Sequence, residues 1–211
     1  MTSDPPLATD QVQDCFNRYK NQQFTGKVEL SSPQSLRSRS FYFCVGRLFW
    51  ATDGQNDNRR LIRCLGRFCP QIKQHKFALR QTDSFESQNY NLLVILLHRK
   101  TITQEQFCDI INEVLMEVLF DVIQEQVTQT KPDQASPLMA SETAYEPLAI
   151  LKIASTPVNG ERALTQAQAA WQSWDHAKLI TCSPNAGLIL RDGATLQALS
   201  LIHISEPTRP Y

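Results

Sequence analysis

Between Phe24 and Thr52 apolar and polar residues alternate with period two, which predicts two or three antiparallel strands joined by tight turns. The first strand runs Phe24 to Leu30, around Val28 and Leu30. In the second, Phe41, Phe43 and Val45 share one face, while Tyr42 and Cys44 take the other. Gly46 permits a turn at positive φ, and Leu48 to Thr52 runs back.

Around this meander the period changes to that of helices. Residues 1–23 form an N-terminal segment in which Thr9 or Asp10 caps a helix with Val12, Phe16 and Tyr19 on one face. RRLIRCLGRF places Leu61, Ile62, Leu65 and Phe68 on one helical face, and Pro70 ends it. Tyr90 to Leu97 is apolar nearly all round and reads as a short, well-buried helix broken at Lys100-Thr101. Thr103 and Gln106 form a capping box for a long helix reaching about Gln126, with Phe107, Ile111, Val114, Val118 and Val122 inside. The polar stretch of about 128–146 contains two prolines and reads as a loop. Leu148 to Ala154 reads as a strand returning to the sheet. Pro157 and Asn159 open a helix carrying Leu164, Ala167, Trp171 and Trp174, and Ser183-Pro184-Asn185 breaks the chain. Leu188 to Leu190 reads as a short strand. The expected class is α+β (mixed α/β): a small antiparallel sheet with packed helices.

The 211 residues suffice for one domain with a sizeable core, and 42% hydrophobic content argues against wholesale disorder. The N-terminus lacks the basic start and apolar core of a signal peptide. The longest strongly apolar run, Leu92 to Leu97, is far short of the roughly 20 residues a membrane span needs. Three of the six scattered cysteines (Cys15, Cys64 and Cys108) fall in predicted helices beside apolar residues, as free thiols do in a reducing cytoplasm.

Net charge is zero, but its distribution is uneven. Arg59, Arg60, Arg63, Arg67, Lys73, Lys76 and Arg80 form a basic block without an acid. Glu105, Asp109, Glu113, Glu117, Asp121 and Glu125 recur every fourth residue on the long helix. Like charges at that spacing repel, so the acidic helix gains from cationic neighbours. The two segments are expected to pack together, with charge reversals at Arg63 and Glu113 rescuing one another. The rival reading gives the basic block, with Phe68 and Phe77 interleaved, to nucleic acid or anionic lipid.

Catalytic constellations are not apparent: no G-x-S-x-G, H-E-x-x-H or P-loop occurs. Cys64, Cys69, His75 and His98 match no common zinc module, and the acidic helix lacks the histidines of a di-metal carboxylate site. A non-enzymatic chain without cofactor is expected. Trp171 and Trp174 suit either a core position or a partner anchor; their helical spacing favours the core.

The closing residues 199–211, LSLIHISEPTRPY, resemble a translated sequencing-library adapter, so the native gene is expected to continue past Gln197. Before them, FTGKVEL, FYFCVGRLFWATDG, NYNLLVILLHRKTITQEQF with EVLFDVIQ, and AWQSWDHAKL with SPNAGLILRDGATLQ stand in one order. In this ordered set residues 24–197 resemble the PATAN domain, the N-terminal module of PatA-type two-component response regulators. The resemblance implies an α/β domain with a helical insertion, here about 58–126, and a following receiver domain, missing here, that a cognate histidine kinase phosphorylates. It further implies action through other signalling, motility or pattern-control proteins.

Overall fold

A computed structural model describes residues 8–31, 38–54, 56–72, 85–129, 139–147 and 160–177. Within them run α1 (Ala8–Asn21), β1 (Gly26–Ser31), β2 (Ser38–Cys44), β3 (Arg47–Thr52), α2 (Asp57–Phe68), α3 (Gln88–His98), α4 (Gln104–Gln129), β4 (Met139–Ala144) and α5 (Gly160–His176). The strands form one antiparallel sheet in the order β3-β2-β1-β4. The mixed α+β class read from the sequence is the class observed.

The meander's alternation builds the core. Val28 pairs with Phe41 in the β1–β2 register, and both are fully buried. Phe41 and Phe43 meet Phe16 of α1 edge-on at 5.2 and 5.6 Å between ring centres. On the other face Tyr42 packs on Phe85 at 5.0 Å. A register irregularity between Tyr42 and Phe43 lets the consecutive residues Phe49 and Trp50 both reach Tyr90 of α3, at 5.3 and 5.4 Å. Ser87 caps α3 by accepting from the Tyr90 amide, and its hydroxyl also accepts from the Trp50 indole at 2.7 Å.

Val45 departs from the expected alternation. It does not share the Phe41 face but occupies the β2–β3 turn at φ 48, with Gly46 at φ 73, and is exposed. Positive φ at both residues suits the right-handed twist of a two-residue hairpin. The strained valine is held by hydrogen bonds from its amide to Thr25 Oγ1 (2.9 Å) and from the Gly46 amide to the Phe24 carbonyl (2.8 Å).

The Thr103–Gln106 box forms reciprocally, at 3.1 and 3.0 Å. It starts a 26-residue helix, α4, buried along more than the expected stripe: Ile110, Leu115, Leu119 and Ile123 are also fully enclosed. α4 packs against α5, α2, β3 and α1 and is the pillar of the fold. α3 is less enclosed than expected, with only Tyr90, Leu93 and Leu96 buried.

Three boundaries differ from expectation. α1 begins at Ala8, so Thr9 and Asp10 lie inside its first turn. α4 runs to Gln129. The polar stretch 128–146 is not all loop: Met139–Ala144 adds to β1 as an edge strand. MASETA lacks alternation because all six of its residues are exposed, so no face had to be apolar. The expected strands at Leu148–Ala154 and Leu188–Leu190, and residues 199–211, lie outside the described residues.

Candidate interaction surface

The sequence of α2 gives the helix two faces. Leu61, Cys64 and Leu65 are buried, and Phe68 is half-buried. Ile62, expected beside them, is instead 56% exposed, because the inward stripe is centred on Leu61, Cys64 and Leu65. Arg59, Arg63, Gly66 and Arg67 share the exposed side of the helix with it.

Arg60 points inward, with its side chain 6% exposed. Its guanidinium donates to Glu117 Oε2 at 2.9 Å, Asp53 Oδ2 at 3.1 Å and Asp121 Oδ2 at 3.0 Å, and Asp57 lies at 3.6 Å. Burial by itself disfavours the guanidinium's charge, but Asp53, Asp121 and Glu117 outweigh it and raise the pKa. For Asp121 the balance is opposite: burial raises its carboxyl pKa more than Arg60 and Arg39 lower it.

The basic block and the acidic helix do pack together. Arg63 pairs with Glu117 and Arg67 with Glu113. The expected partnership of Arg63 with Glu113 is therefore shifted by one helical turn along α4. Further along the stripe, the buried Arg39 of β2 pairs with Glu125. Arg59 is exposed. Lys73, Lys76 and Arg80 lie outside the described residues.

Trp171 is buried and Trp174 half-buried, and both pack edge-on against Phe120 of α4, at 5.8 and 5.3 Å. Arg60 and Trp171 thus offer no surface to a partner, whereas Arg59, Arg63 and Arg67 do.

Two polar clusters tie β4 into the fold, and neither is marked by any sequence motif. Tyr19 donates to Glu142 at 2.8 Å, and Arg18 binds the same carboxylate. On the other side Glu86 accepts from Tyr42 (2.5 Å) and Tyr145 (3.1 Å) and pairs with Lys27 at 3.1 Å. Burial alone would raise the Glu86 carboxyl, but hydrogen bonds from Tyr42 and Lys27 outweigh it and hold the group below its ordinary range.

Among the described residues Cys15, Cys44, Cys64, Cys69 and Cys108 are free thiols. Burial pushes Cys64 up to about 12, with Glu117 adding to the effect, so this thiol is not a nucleophile at neutral pH. Among the described residues no three His, Cys, Asp or Glu side chains are arranged to hold a metal ion. His75, one of the four ligands weighed for zinc, lies outside them. No described helix is long and apolar enough to cross a membrane.

No family model matches the chain, and neither does any curated protein or solved structure.

Proposed function

We propose that this chain is a regulatory protein–protein interaction module of a cytoplasmic two-component response regulator, without catalytic activity of its own. The observation that carries the reading is the divided α2 helix. Its inner face is anchored by Arg60 in a nest of carboxylates, and its outer face presents Ile62, 56% exposed, on the same side as Arg59 and Arg63. An apolar residue ringed by arginines on a clamped helix is a surface that a protein partner can bury without reorganising the module. The PATAN resemblance supplies the regulatory setting: phosphorylation of a receiver domain by its kinase biases which signalling, motility or pattern-control protein the module engages.

The nucleic-acid alternative draws on the same block, but it needs cations that are free to release counterions from phosphate. Arg60, Arg63 and Arg67 already face carboxylates on α4.

The test is affinity capture from native lysate on the full chain, run beside Ile62→Glu. A signalling protein retained by the wild type and lost with the variant is expected. Retention of nucleic acid alone, released by salt, would overturn the reading, as would protein capture indifferent to Ile62. In the intact regulator, equal partner affinity with and without receiver phosphorylation would refute the switching mechanism.

A further inference from the structure

A cleft of ≈ 330 Å³ opens between α1, the β2–β3 turn and the first turn of α5. Its walls include Phe16, Phe43, Leu48 and Leu164, and Lys20 and Arg47 also border it. The four apolar residues are almost wholly removed from solvent, while the two cations are exposed.

Two glycines set the cleft's dimensions. A Cβ on Gly46 would lie 2.7 Å from the Lys20 carbonyl oxygen, so only glycine lets the β2–β3 turn meet the end of α1. A Cβ on Gly160 would lie 2.8 Å from Leu48 Cβ, so only glycine lets α5 begin directly on β3. Three segments distant in sequence are thus held around one concavity.

The charges at its border are unequal. Lys20 is paired with Glu161 of α5. Among the described residues Arg47 has no carboxylate partner. α5 begins at the cleft with Gly160, but its first-turn Glu161 also lines the cleft and offsets the positive end of the helix dipole, so the positive charge offered to a ligand rests on Arg47. The volume is at the small end of ligand sites, and an apolar lining with a few placed polar groups is their usual composition.

We infer that this cleft is a binding site for a small amphipathic carboxylate, its apolar body on Phe16, Phe43, Leu48 and Leu164 and its charge on Arg47. One uncompensated guanidinium suits a single carboxylate, which it can engage through two parallel hydrogen bonds. A polyphosphate would find too little positive charge and an apolar floor. The site lies apart from the α2 surface, so it stands or falls independently of the proposed function.

The experiment is titration of the isotopically labelled full chain with octanoate and with phenylacetate, followed by amide chemical shifts. Octanol and phenylacetamide serve as uncharged controls. Saturable shifts centred on Gly46, Arg47 and Gly160 are expected with the two acids, at affinities at least about tenfold tighter than the neutral controls. Arg47→Gln, at an exposed position, is expected to remove that preference without changing the melting temperature. Asn17→Trp, on the exposed side of α1 at the cleft border, is expected to block both acids. No saturable shift at millimolar acid would overturn the inference. Equal binding of acids and neutral controls, or shifts mapping elsewhere, would do the same.

Discussion

Arg60 of α2 and Glu117 of α4 stand 57 positions apart in sequence and are joined at 2.9 Å, Nε to Oε2. The same carboxylate oxygen receives Arg63. One glutamate therefore serves a buried and an exposed arginine, and fixes α2 on the pillar helix at one register. The apolar contact of α2 with α4 supplies affinity between the helices, and this seam supplies their alignment.

Removing Arg60 strands Asp53, Asp57, Glu117 and Asp121 around a vacated site. Breaking a buried ion pair from one side costs about 3–5 kcal/mol, because the remaining charges lose their counterion but stay desolvated. Arg60→Met is expected to lower the urea midpoint accordingly, and adding Asp121→Asn to recover part of the loss by reducing the repulsion. An unfolding free energy within about 1 kcal/mol of wild type would show that the carboxylates relax into solvent.

The exposed pairs are worth less, and their register can be tested by swapping charges. Arg67→Glu is expected to be rescued by Glu113→Arg, and Arg63→Glu by Glu117→Arg only in part, because Glu117 also holds Arg60. Coupling energies of about 0.2–1 kcal/mol are expected for such surface pairs in double-mutant cycles. The combination of Arg63→Glu with Glu113→Arg should show no rescue, because those two side chains are not partners.

Two carboxylates should make stability depend on pH in opposite senses. Asp121 has a folded pKa raised above its ordinary 3.8, chiefly by burial. The folded state then holds its proton longer than the unfolded state, so the contribution is fully present below 3.8 and is lost as pH rises through the higher folded value. Glu86 is held below its ordinary 4.5 despite burial, by Tyr42 and Lys27. Its contribution is present above 4.5 and is lost as pH falls through the lower folded value. Plotted against pH, the stability of wild type minus Asp121→Asn should therefore fall with rising pH, and that of wild type minus Glu86→Gln should rise. Two curves tilting the same way would contradict the environments described for these groups.

Much of this fold was legible in the sequence wherever burial forces a pattern. Val28, Leu30, Phe41 and Phe43 alternate because one face of β1 and β2 meets α1, and Thr103 with Gln106 announced α4 through capping chemistry. β4 was hidden because a strand exposed on both faces carries no alternation; backbone pairing with β1 places it, helped by Tyr19 and Arg18 on Glu142. Val45 breaks the alternation because a β-branched residue at positive φ runs against local preference, and it is held there by tertiary hydrogen bonds, from its own amide to Thr25 Oγ1 and from the Gly46 amide to the Phe24 carbonyl. In the candidate site, the attraction of the basic block for the acidic helix followed from charge alone. The burial of Arg60 and the exposure of Ile62 did not, since both depend on the rotation of α2 about its own axis, which tertiary packing sets.

Trp171 separates a core role from an anchoring role. Both tryptophans close on Phe120, but Trp171 is buried among Ala163, Leu164 and Ala167 of the same helix face, whereas Trp174 is half-buried. Truncating a buried tryptophan removes its transfer free energy and leaves a cavity, so Trp171→Ala is expected to cost about 3–5 kcal/mol. Trp174→Ala should cost clearly less, since part of its ring is already in water. Phe120→Ala should approach the Trp171 value, because it removes the ring on which both indoles rest. Urea unfolding followed by far-ultraviolet circular dichroism reads all three without relying on the indoles that two of the variants delete. If Trp171→Ala unfolded at the wild-type midpoint but lost a partner, the indole would be an anchor and the α4–α5 packing would have to be held by its other contacts alone.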